Sequence, residues 1–427
     1  YETQIIENIK RLGEKFRIIT GGPGTGKTYS VGQNLVELLA KNLELKIALA
    51  APTGKAAARM NEALKNYAER HKNETSIHVY NKLVSLKSQT IHRLLGYIRN
   101  SVFFRHHEKK PLPYDVVVID EASMIDGAMM AKLLNAIGDQ TRFYLIGDKD
   151  QLASVEAGSV FGDICRAKDS ELLKDKVDVK VENWRAKDSP RLIEFSMKII
   201  AGTDEYIGSY ENNQEVAIDT GYSETLFNEQ IKLYKEYVDE ANITEALKKL
   251  KRVRVLCVTR EHDHSVAESN LRIEKLLRKE ISDPAKFSPK AGFYHNQPII
   301  ITKNDYNLGL NNGDVGIVRR DEKGVLKAYF EGQDGEVKPY NAGYLNHYET
   351  VFAMTIHKSQ GSEFDHVVVL LPEKQARKLL TRELLYTAVT RAKKKVLVQS
   401  TTESLKHCLD NLVSRASGLT QRIQQSK

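Results

Sequence analysis

The stretch FRIITGGPGTGKT, residues 16–28, joins a short apolar segment to a glycine-rich turn. Its first five residues are typical of a buried strand, and the apolar positions between 31 and 40 recur with the spacing of a helix face. The turn fits the pattern G-x-x-x-x-G-K-[ST], which Lys27 and Thr28 complete. A strand, a glycine loop and a helix in this order predict a phosphate-binding loop.

The residue types of this loop indicate its chemistry. Glycines allow backbone N–H groups to converge on phosphate oxygens at the positive end of the following helix. Lys27 is placed to contact the β and γ phosphates, and the Thr28 hydroxyl to hold Mg²⁺. We therefore expect a nucleoside triphosphatase that uses ATP and Mg²⁺. The residues expected to bind the nucleotide here are Gly22, Gly24, Thr25, Gly26, Lys27, Thr28 and Tyr29.

Length and composition set broad limits. The chain has 427 residues, enough for two or three domains, with the 41% hydrophobic and 28% charged residues of an ordinary globular protein. Its 64 basic residues exceed its 56 acidic ones by 8, which mildly favours a polyanionic partner. The 3 cysteines lie far apart, so neither a metal site nor a disulfide framework is expected, and a reducing cytoplasm is the natural setting.

The ends and the hydropathy of the chain add two expectations. There is no run of eighteen apolar residues and no secretory signal, so no membrane span is expected. Because the chain begins with Tyr1 and not with Met, we expect that residues upstream of it have been removed or omitted.

Two alternating patterns of strands and helices predict two α/β lobes with parallel sheets. The strands are expected at 17–20, 46–51, 116–120 and 143–147 in the first lobe, and at 253–259, 351–356, 367–371 and 395–399 in the second. The segment from 169 to about 242 has a mostly helical pattern. From 292 to 343, short strands separated by Asn-Gly, Asp-Gly and Glu-Gly turns predict an inserted β-barrel or meander.

Acidic and amide side chains follow two strands of the first lobe. VVVIDEAS, residues 116–123, ends in Asp120, which can hold Mg²⁺ through its water shell, and Glu121, which can orient and deprotonate the attacking water. IGDKDQL, residues 146–152, places Gln151 where it could contact the γ-phosphate or that water. Solvated acids at a strand end are a common alternative, but their position downstream of a phosphate loop favours catalysis.

Two further turns of the first lobe are candidates for a nucleic-acid contact. APTGKAA, residues 51–57, exposes Thr53 and Lys55 at a second strand-to-helix turn. One ATP needs only one phosphate loop, so this turn is better suited to a backbone phosphate of a nucleic acid. Thr90-Ile-His92 precedes another helix and could act in the same way, although a lone histidine such as His92 is more often structural.

Two arginines of the second lobe are candidate arginine fingers. Arg185 lies in ENWRA, and Arg391 ends YTAVTRA on a helix expected over 382–391, which would place it on the same face as Thr387. Either guanidinium could neutralise charge on the transferring γ-phosphoryl group.

The segment FAMTIHKSQGSEFD, residues 352–365, runs from a buried strand into a polar loop. Thr355 and His357 could contact DNA phosphates, while Gln360 and Glu363 could face the nucleotide. Serine and histidine occur together here, but a serine hydrolase is disfavoured because no Gly-x-Ser-x-Gly elbow is present.

With these motifs in order, the chain resembles the RecD family of superfamily 1 DNA helicases over nearly its whole length. The resemblance rests on GGPGTGKT, APTGKAAARM, TIHRLLG, VVIDEASMID, IGDKDQLASVEAG, NDYNLGLNNGDVGIV, AMTIHKSQGSEFDHVVVLLP and TRELLYTAVTRAKK. It implies ATP-driven 5′→3′ translocation on single-stranded DNA with unwinding of duplex DNA. It also implies RecB-like and RecC-like partner subunits in an exonuclease V complex that acts in double-strand-break repair and homologous recombination.

The resemblance further implies an architecture and a set of site residues. Two RecA-like P-loop NTPase lobes are expected, one at 1–168 and one at 169–290 with 346–427, and an SH3-like β insertion at 291–345. A strand-separating pin is expected at about 96–113. The residues carried over are Gln4 as the reader of adenine, then Lys27, Thr28, Asp120, Glu121, Gln151, Arg185, Glu363 and Arg391 at the ATP site, and Thr53, His92, Thr355 and His357 along DNA.

Two other functions stay open. One is a stand-alone RecD-like helicase, which works without partner subunits. The family normally has an N-terminal docking domain before the glutamine motif, and because this chain starts almost at that motif, we expect that domain to be either removed or absent. The other is a binding subunit that uses ATP as a switch and never translocates, which the hydrolytic set of Glu121, Gln151, Arg185 and Arg391 disfavours. Carboxylates do not cluster outside the expected ATP site, so exonuclease activity is assigned to partner subunits.

Overall fold

A computed structural model describes residues 1–153, 159–184, 188–204, 215–289, 292–305, 307–332, 335–413 and 418–426. The chain forms two compact units. The first unit comprises Tyr1–Arg185 and Ser414–Lys427, and the second comprises Ala186–Val413. The predicted boundary after residue 168 therefore falls inside the first unit, and the last residues of the chain, which were assigned to the second lobe, group with the first.

The strands form three sheets. Their bounds are β1 Phe16–Gly21, β2 Ile47–Ala51, β3 Ser88–Thr90, β4 Val116–Ile119, β5 Arg142–Gly147, β6 Val177–Lys180, β7 Val216–Asp219, β8 Val253–Cys257, β9 Gln297–Ile301, β10 Val315–Arg320, β11 Leu326–Glu331, β12 Val337–Asn341, β13 Tyr348–Thr350, β14 Ala353–Thr355, β15 Phe364–Leu370 and β16 Ala392–Gln399. The first unit has a six-stranded sheet in the order β3-β2-β4-β5-β1-β6. The second unit has one sheet in the order β14-β8-β15-β16-β7 and another in the order β12-β11-β10-β9-β13.

The helices pack around these sheets. Their bounds are α1 Glu2–Leu12, α2 Lys27–Lys41, α3 Gly54–Arg70, α4 Ile77–Ser85, α5 Ile91–Leu95, α6 Gly127–Asn135, α7 Val160–Arg166, α8 Pro190–Ala201, α9 Glu224–Ile231, α10 Lys235–Asp239, α11 Ile243–Leu250, α12 Val266–Glu280, α13 Arg382–Val389, α14 Thr402–Asp410 and α15 Leu419–Gln425. Among the described residues, no helix is long and apolar enough to cross a membrane.

All neighbouring strands of the first sheet are parallel. Both of its faces are buried, because alternate residues of one strand enter different cores. In β4, Val117 and Ile119 pack with residues of α1 and α6, whereas Val116 and Val118 pack with residues of α2 and α3. A strand covered on both faces has a continuous apolar sequence, which is why the central strands could be predicted from VVVI and similar runs.

The predicted fold class, two parallel α/β sheets with a β insertion, is confirmed. The eight predicted strands are present with ends that differ by a few residues. Two further strands, β6 and β7, lie in the segment that the pattern had marked as mostly helical. β6 is an edge strand with the sequence VDVK, in which no residue is fully buried, so its sequence contains no apolar run.

The insertion is an antiparallel sheet in which β9, β10, β11 and β12 follow one another as a meander. β13 then pairs with the other edge of β9 and leads directly into the parallel strand β14. The insertion therefore ends at residue 350 and not at 345 as predicted from the sequence. Closure into an SH3-like barrel remains a prediction.

One buried arginine of β10 fastens this sheet to the rest of the second unit. Arg319 is 8% exposed, and its Nε donates a hydrogen bond of 2.7 Å to Asn296 Oδ1. Its terminal nitrogens donate to three carbonyl oxygens at and after the end of α10, those of Tyr237, Glu240 and Ala241, at 2.7 to 2.9 Å. Burial lowers the pKa of Arg319, but the fourfold hydrogen bonding satisfies the guanidinium.

We expect Arg319→Ala to lower the free energy of unfolding of the second unit by about 2–4 kcal/mol, because buried acceptors lose their donor. The adjacent Arg320, which is exposed and donates to the Gly324 carbonyl at 2.9 Å, provides a matched control. Its replacement by alanine is expected to change stability by less than about 0.5 kcal/mol. Urea unfolding followed by circular dichroism measures both, and equal effects of the two substitutions would contradict a clamp at Arg319.

Candidate nucleotide-binding and catalytic site

The candidate site lies along one edge of the first sheet. Because its strands are parallel, their carboxyl ends lie at the same edge, where ligands of open α/β sheets bind. The glycine loop follows β1, Asp120 follows β4, and the segment with Gln151 follows β5. The turns with Thr53 and Thr90 follow β2 and β3. The strand order places Asp120 between the glycine loop on one side and these two turns on the other.

The glycine loop is held in shape by its own backbone. Gly24 and Gly26 have φ angles of 81° and 75°, which residues with a Cβ atom rarely adopt, and α2 starts directly afterwards. Lys27 Nζ donates to the carbonyl oxygens of Gly21 and Gly22 at 2.6 and 2.9 Å. Thr25 Oγ1 donates to the same Gly22 carbonyl at 2.8 Å. The ammonium group of Lys27 is thus held over the loop, at the N-terminus of a helix that attracts anions.

Asp120 and Glu121 form an acidic pair in an unfavourable environment. Glu121 has a φ angle of 53°, a left-handed conformation that costs a non-glycine residue about 1 kcal/mol. Its N–H donates to Asp120 Oδ1 at 2.8 Å. Desolvation, followed by the charge of Glu121, raises the pKa of Asp120 to about 6, although Lys27 and Arg59 oppose this rise.

The donor set of this pair fits a divalent cation. A carboxylate that is desolvated and faces a like charge gains most from a positive ion, and oxygen is the ligand atom that Mg²⁺ prefers. The backbone strain at Glu121 belongs to a class that is concentrated at active sites.

Gln151 is buried and fixed by one hydrogen bond. Its Nε2 donates to Asp148 Oδ2 at 3.0 Å, and both side chains are less than 10% exposed. Asp148 also accepts from the N–H of Asp150 at 3.1 Å, so the loop after β5 is stabilised around a single carboxylate. The structure therefore gives Gln151 a defined position beside the strands that carry the other candidate residues.

Two residues that are expected to bind the nucleotide, Gln4 and Tyr29, are exposed. Gln4 lies in the first turn of α1, and its backbone carbonyl accepts from Asn8 Nδ2 at 2.7 Å. Tyr29, in the first turn of α2, is 47% exposed and contacts Tyr67 edge-to-face, with ring centroids 4.9 Å apart. The ring centroid of His71 lies 5.4 Å from that of Tyr29.

Trp184 was not among the residues selected from the sequence. Its backbone N–H donates to the Gly24 carbonyl at 3.0 Å, and Asn183 Nδ2 donates to the Pro23 carbonyl at 2.9 Å. The segment after β6 therefore stabilises the glycine loop. The indole lies against Gly26, yet it is 62% exposed. As the only tryptophan of the chain, next to the selected Arg185, it could have been found from the sequence. Arg185 itself lies outside the described residues.

The two turns after β2 and β3 are adjacent helix N-termini. Thr53 caps α3 by accepting from the Ala56 N–H at 3.2 Å, and Thr90 caps α5 by accepting from the Arg93 N–H at 3.3 Å. Ala51 and Thr90 are register partners, which places the turns side by side. Lys55 lies in the first turn of α3 and is partly exposed.

His92 combines an exposed side chain with aromatic packing on its ring. Its outer face is exposed, while its ring packs against Phe104 at a centroid distance of 5.7 Å. Desolvation lowers the pKa of His92 despite the opposing charge of Asp126. The lowered pKa favours the neutral imidazole, which can donate or accept a hydrogen bond.

The candidate residues of the second unit fall at two places. Thr355 ends β14, and its hydroxyl accepts from the Lys358 N–H at 3.3 Å, so His357 lies in a tight turn after that strand. Glu363 directly precedes β15, and Arg391 directly precedes β16. Because β14 and β15 both run parallel to β8, the carboxyl end of β14 and the amino end of β15 lie at opposite edges of this sheet. The predicted DNA contacts at Thr355 and His357 are therefore separated from the predicted nucleotide contact at Glu363 by about the length of one strand.

Arg391 is 2% exposed and is held by backbone carbonyl groups. Its Nε donates to the Thr387 carbonyl at 3.1 Å, and its terminal nitrogen donates to the Ser362 carbonyl at 3.2 Å. Glu363, next to Ser362, pairs with Lys393 at 3.8 Å, so the structure brings Glu363 and Arg391 together. Helix α13 ends at residue 389, so it is shorter than predicted, but the side chain of Arg391 turns back onto it.

Comparison with known proteins agrees with this arrangement. Residues 4–157 match the family described as AAA domain, and residues 350–398 match the UvrD-like helicase C-terminal domain. The chain is 37% identical to the RecBCD enzyme subunit RecD of Mycolicibacterium smegmatis over 97% of its own length and 73% of that protein. It is 33% identical to the RecBCD enzyme subunit RecD of Haemophilus influenzae over 96% of its own length and 70% of that protein.

Two other similarities are more distant. The ATP-dependent RecD2 DNA helicase of Deinococcus radiodurans is 30% identical over 89% of this chain and 46% of that protein. The crystal structure of the Pif1 helicase from Bacteroides in complex with ADP-AlF3 and ssDNA aligns with a TM-score of 0.48 at 16% identity, covering 96% and 94% of the two chains.

The fold, the glycine loop and the helicase C-terminal motifs define an ATP-dependent helicase of superfamily 1 with a P-loop NTPase core. Within that class, the chain belongs to the RecD family.

The acidic pair predicts an unusual dependence of stability on pH. The pKa of Asp120 rises from 3.8 to about 6 on folding, so the folded protein binds more protons between these values. The free energy of unfolding should therefore fall by about 1–2 kcal/mol as the pH rises from 4 to 6 in EDTA without nucleotide. We expect Asp120→Asn to remove most of this slope in urea titrations, and Asp169→Asn, at an exposed carboxylate, to retain it. An unchanged slope in Asp120→Asn would assign the effect to other groups.

Proposed function

We propose that this helicase is a DNA-stimulated motor that moves 5′→3′ along single-stranded DNA and unwinds duplex DNA. The observation that carries the proposal is the common sheet edge, on which the acidic pair lies between the glycine loop and two capped helix N-termini. Hydrolysis at the γ-phosphate and contact with a DNA phosphate would therefore both act on loops at the carboxyl ends of the same parallel strands. The direction of movement is supported by membership in the RecD family.

We propose that hydrolysis uses the residues at this edge together with two arginines. Thr28 and Asp120 would hold Mg²⁺, which neutralises charge on the β and γ phosphates when bound. Lys27 would contact those phosphates, and Glu121 would accept a proton from the attacking water. Gln151 would hold that water or the γ-phosphate, and Arg185 and Arg391 would stabilise the charge that develops in the transition state, with Glu363 nearby.

We propose that the base of ATP is recognised by Gln4 and Trp184. A side-chain amide offers one donor and one acceptor, which matches the adjacent N6 and N7 atoms of adenine. The exposed indole of Trp184 lies beside the glycine loop and offers an aromatic face for stacking. Tyr29, which is fixed by Tyr67, could provide a second aromatic contact.

We propose that DNA phosphates bind at the helix N-termini carrying Thr53, Lys55 and His92, and at Thr355 and His357 of the second unit. Helix N-termini and uncharged donors are frequent phosphate contacts that carry no sequence information, as a translocating motor requires. A short hairpin bridged between Tyr97 and Phe104 lies in the predicted pin segment.

The hairpin exposes apolar side chains that are suited to separating strands. Val102 and Phe103 are 71% and 74% exposed. Large apolar side chains that are exposed side by side mark interaction sites. Apolar wedges of this kind unstack base pairs in other DNA-binding proteins. We therefore propose that residues 96–113 act as the pin.

We propose that the chain works as a RecD-like subunit with RecB-like and RecC-like partners in double-strand-break repair and homologous recombination. Its similarity to the two RecBCD enzyme subunits described above extends over 73% and 70% of their length, against 46% for the RecD2 helicase. A stand-alone RecD-like helicase is the second candidate. An ATP-switched binding subunit is disfavoured, since such a subunit has no need for a strained carboxylate at Glu121.

Substitutions at the phosphate loop and at the acidic pair should have different effects. Lys27→Ala should abolish ATP turnover, because the phosphate charge is no longer neutralised. Glu121→Gln should still bind ATP but turn it over roughly 100-fold more slowly, because only proton transfer is lost. Steady-state hydrolysis and equilibrium binding of a fluorescent ATP analogue measure the two effects, with Glu44→Gln at an exposed site as control. Near-normal turnover by Lys27→Ala, or loss of binding by Glu121→Gln, would contradict the assignment.

DNA should control both turnover and unwinding. We expect single-stranded DNA to stimulate hydrolysis, and a duplex with a 5′ tail to be unwound while blunt and 3′-tailed duplexes are not. DNA affinity should decrease linearly with the logarithm of salt concentration, since phosphate contacts release counterions. Assays with and without RecB-like and RecC-like subunits distinguish the two helicase candidates, because only a stand-alone enzyme unwinds unaided. Hydrolysis that is indifferent to DNA in both conditions would overturn the motor.

A further inference from the structure

The C-terminal helix α15 packs on the first unit after the chain has passed through the second. Leu419 and Ile423 are fully buried, and they share one hydrophobic core with Ile5 and Ile9 of α1. The Thr420 hydroxyl donates to the carbonyl oxygen of Asp163 in α7 at 3.1 Å. The helix is thus an integral part of the first unit and lies next to α1.

One side chain of α15 contacts two consecutive residues in the first turn of α1. Arg422 donates from one terminal nitrogen to Thr3 Oγ1 at 2.7 Å. Its other terminal nitrogen lies 3.4 Å from Glu2 Oε2. The residue that follows Thr3 is Gln4, the proposed reader of adenine.

This end of α1 depends on contacts from outside the helix. The first turn of any helix lacks intrahelical acceptors for its N–H groups, and Tyr1 at the N-cap position makes no side-chain capping hydrogen bond. The other end is fastened to α6, where Asn8 Nδ2 donates to Asn135 Oδ1 at 2.6 Å and Arg11 donates to the Leu134 carbonyl at 3.0 Å. Helix α1 is therefore anchored at one end by α6 and at the other by α15.

We propose that α15 is a positioning element for the nucleotide base, in which Arg422 holds the first turn of α1 so that Gln4 meets adenine. The inference rests on the proposed role of Gln4. It means that selection of the base depends on a residue more than 400 positions further along the chain, whereas contacts with the phosphates do not. Arg422 is a positioning residue and does not itself contact the nucleotide.

The test compares ATP with GTP, which has the same triphosphate and a different base edge. Arg422→Ala should raise KM for ATP by up to about fivefold, the upper limit for an exposed ion pair, with kcat for both nucleotides and KM for GTP unchanged. Arg422→Lys should give an intermediate value, because an ammonium group can keep one of the two contacts. Gln424→Ala on the exposed part of the same helix is the matched control and should leave all four constants unchanged.

A second variant approaches the contact from α1. Thr3→Val keeps the shape of the side chain but removes the hydroxyl acceptor of Arg422, so it should raise KM for ATP in the same selective way. Equal increases in KM for ATP and GTP, or a fall in kcat for both, would indicate a general loss of structure and would overturn the positioning role. Because the two variants change opposite partners of the same contact, either one still tests the inference if the other folds poorly.

Gln4→Ala, measured in parallel, separates this inference from the proposal on which it rests. If Gln4→Ala abolishes the preference for ATP over GTP while Arg422→Ala and Thr3→Val retain it, the role of α15 is overturned and base recognition by Gln4 stands. If Gln4→Ala retains the preference, adenine recognition by Gln4 is wrong, and the positioning role is overturned with it. A selective decrease of the preference in all three variants, largest in Gln4→Ala, is the expected result.

Discussion

Parallel strand pairing in the first sheet is the constraint on which the site depends. Because every strand runs in the same direction, the loops after β1, β2, β3, β4 and β5 must leave at one edge, and the strand order alone decides which are neighbours. The packing at the end of β1 is tight, since a Cβ atom at Gly21 would lie 2.5 Å from the carbonyl oxygen of Lys180 in β6. Gly21 therefore allows β1 and β6 to pack closely where the glycine loop begins.

Two features of the site lower the stability of the first unit, so contacts elsewhere in the unit must offset them. Glu121 has a strained backbone, and Asp120 is desolvated beside a like charge. Such features persist only where the surrounding structure fixes them, and here β4 is buried on both faces by two separate cores. If a cation binds at the acidic pair as proposed, its charge would offset the repulsion between Asp120 and Glu121.

The sequence predicted the fold class and the central strands because those strands are buried on both faces and have continuous apolar runs. It did not predict β6, whose edge position leaves polar residues, nor the return of α15 to the first unit, because Leu419 and Ile423 alone give too short a pattern to show where the helix packs. The glycines and carboxylates at the sheet edge have strict sequence spacings, so they could be selected as candidates from the sequence. Trp184 was overlooked, because an aromatic side chain beside a loop has no spacing rule.

Phosphate and base recognition are anchored by different parts of the first unit. The glycine loop is fixed by its own carbonyl groups and by the segment after β6, whereas Gln4 lies on a helix held from outside by α6 and α15. If Gln4 reads the base as proposed, sequence changes in α1 or α15 would alter base preference while the contacts that hold the glycine loop stay unchanged.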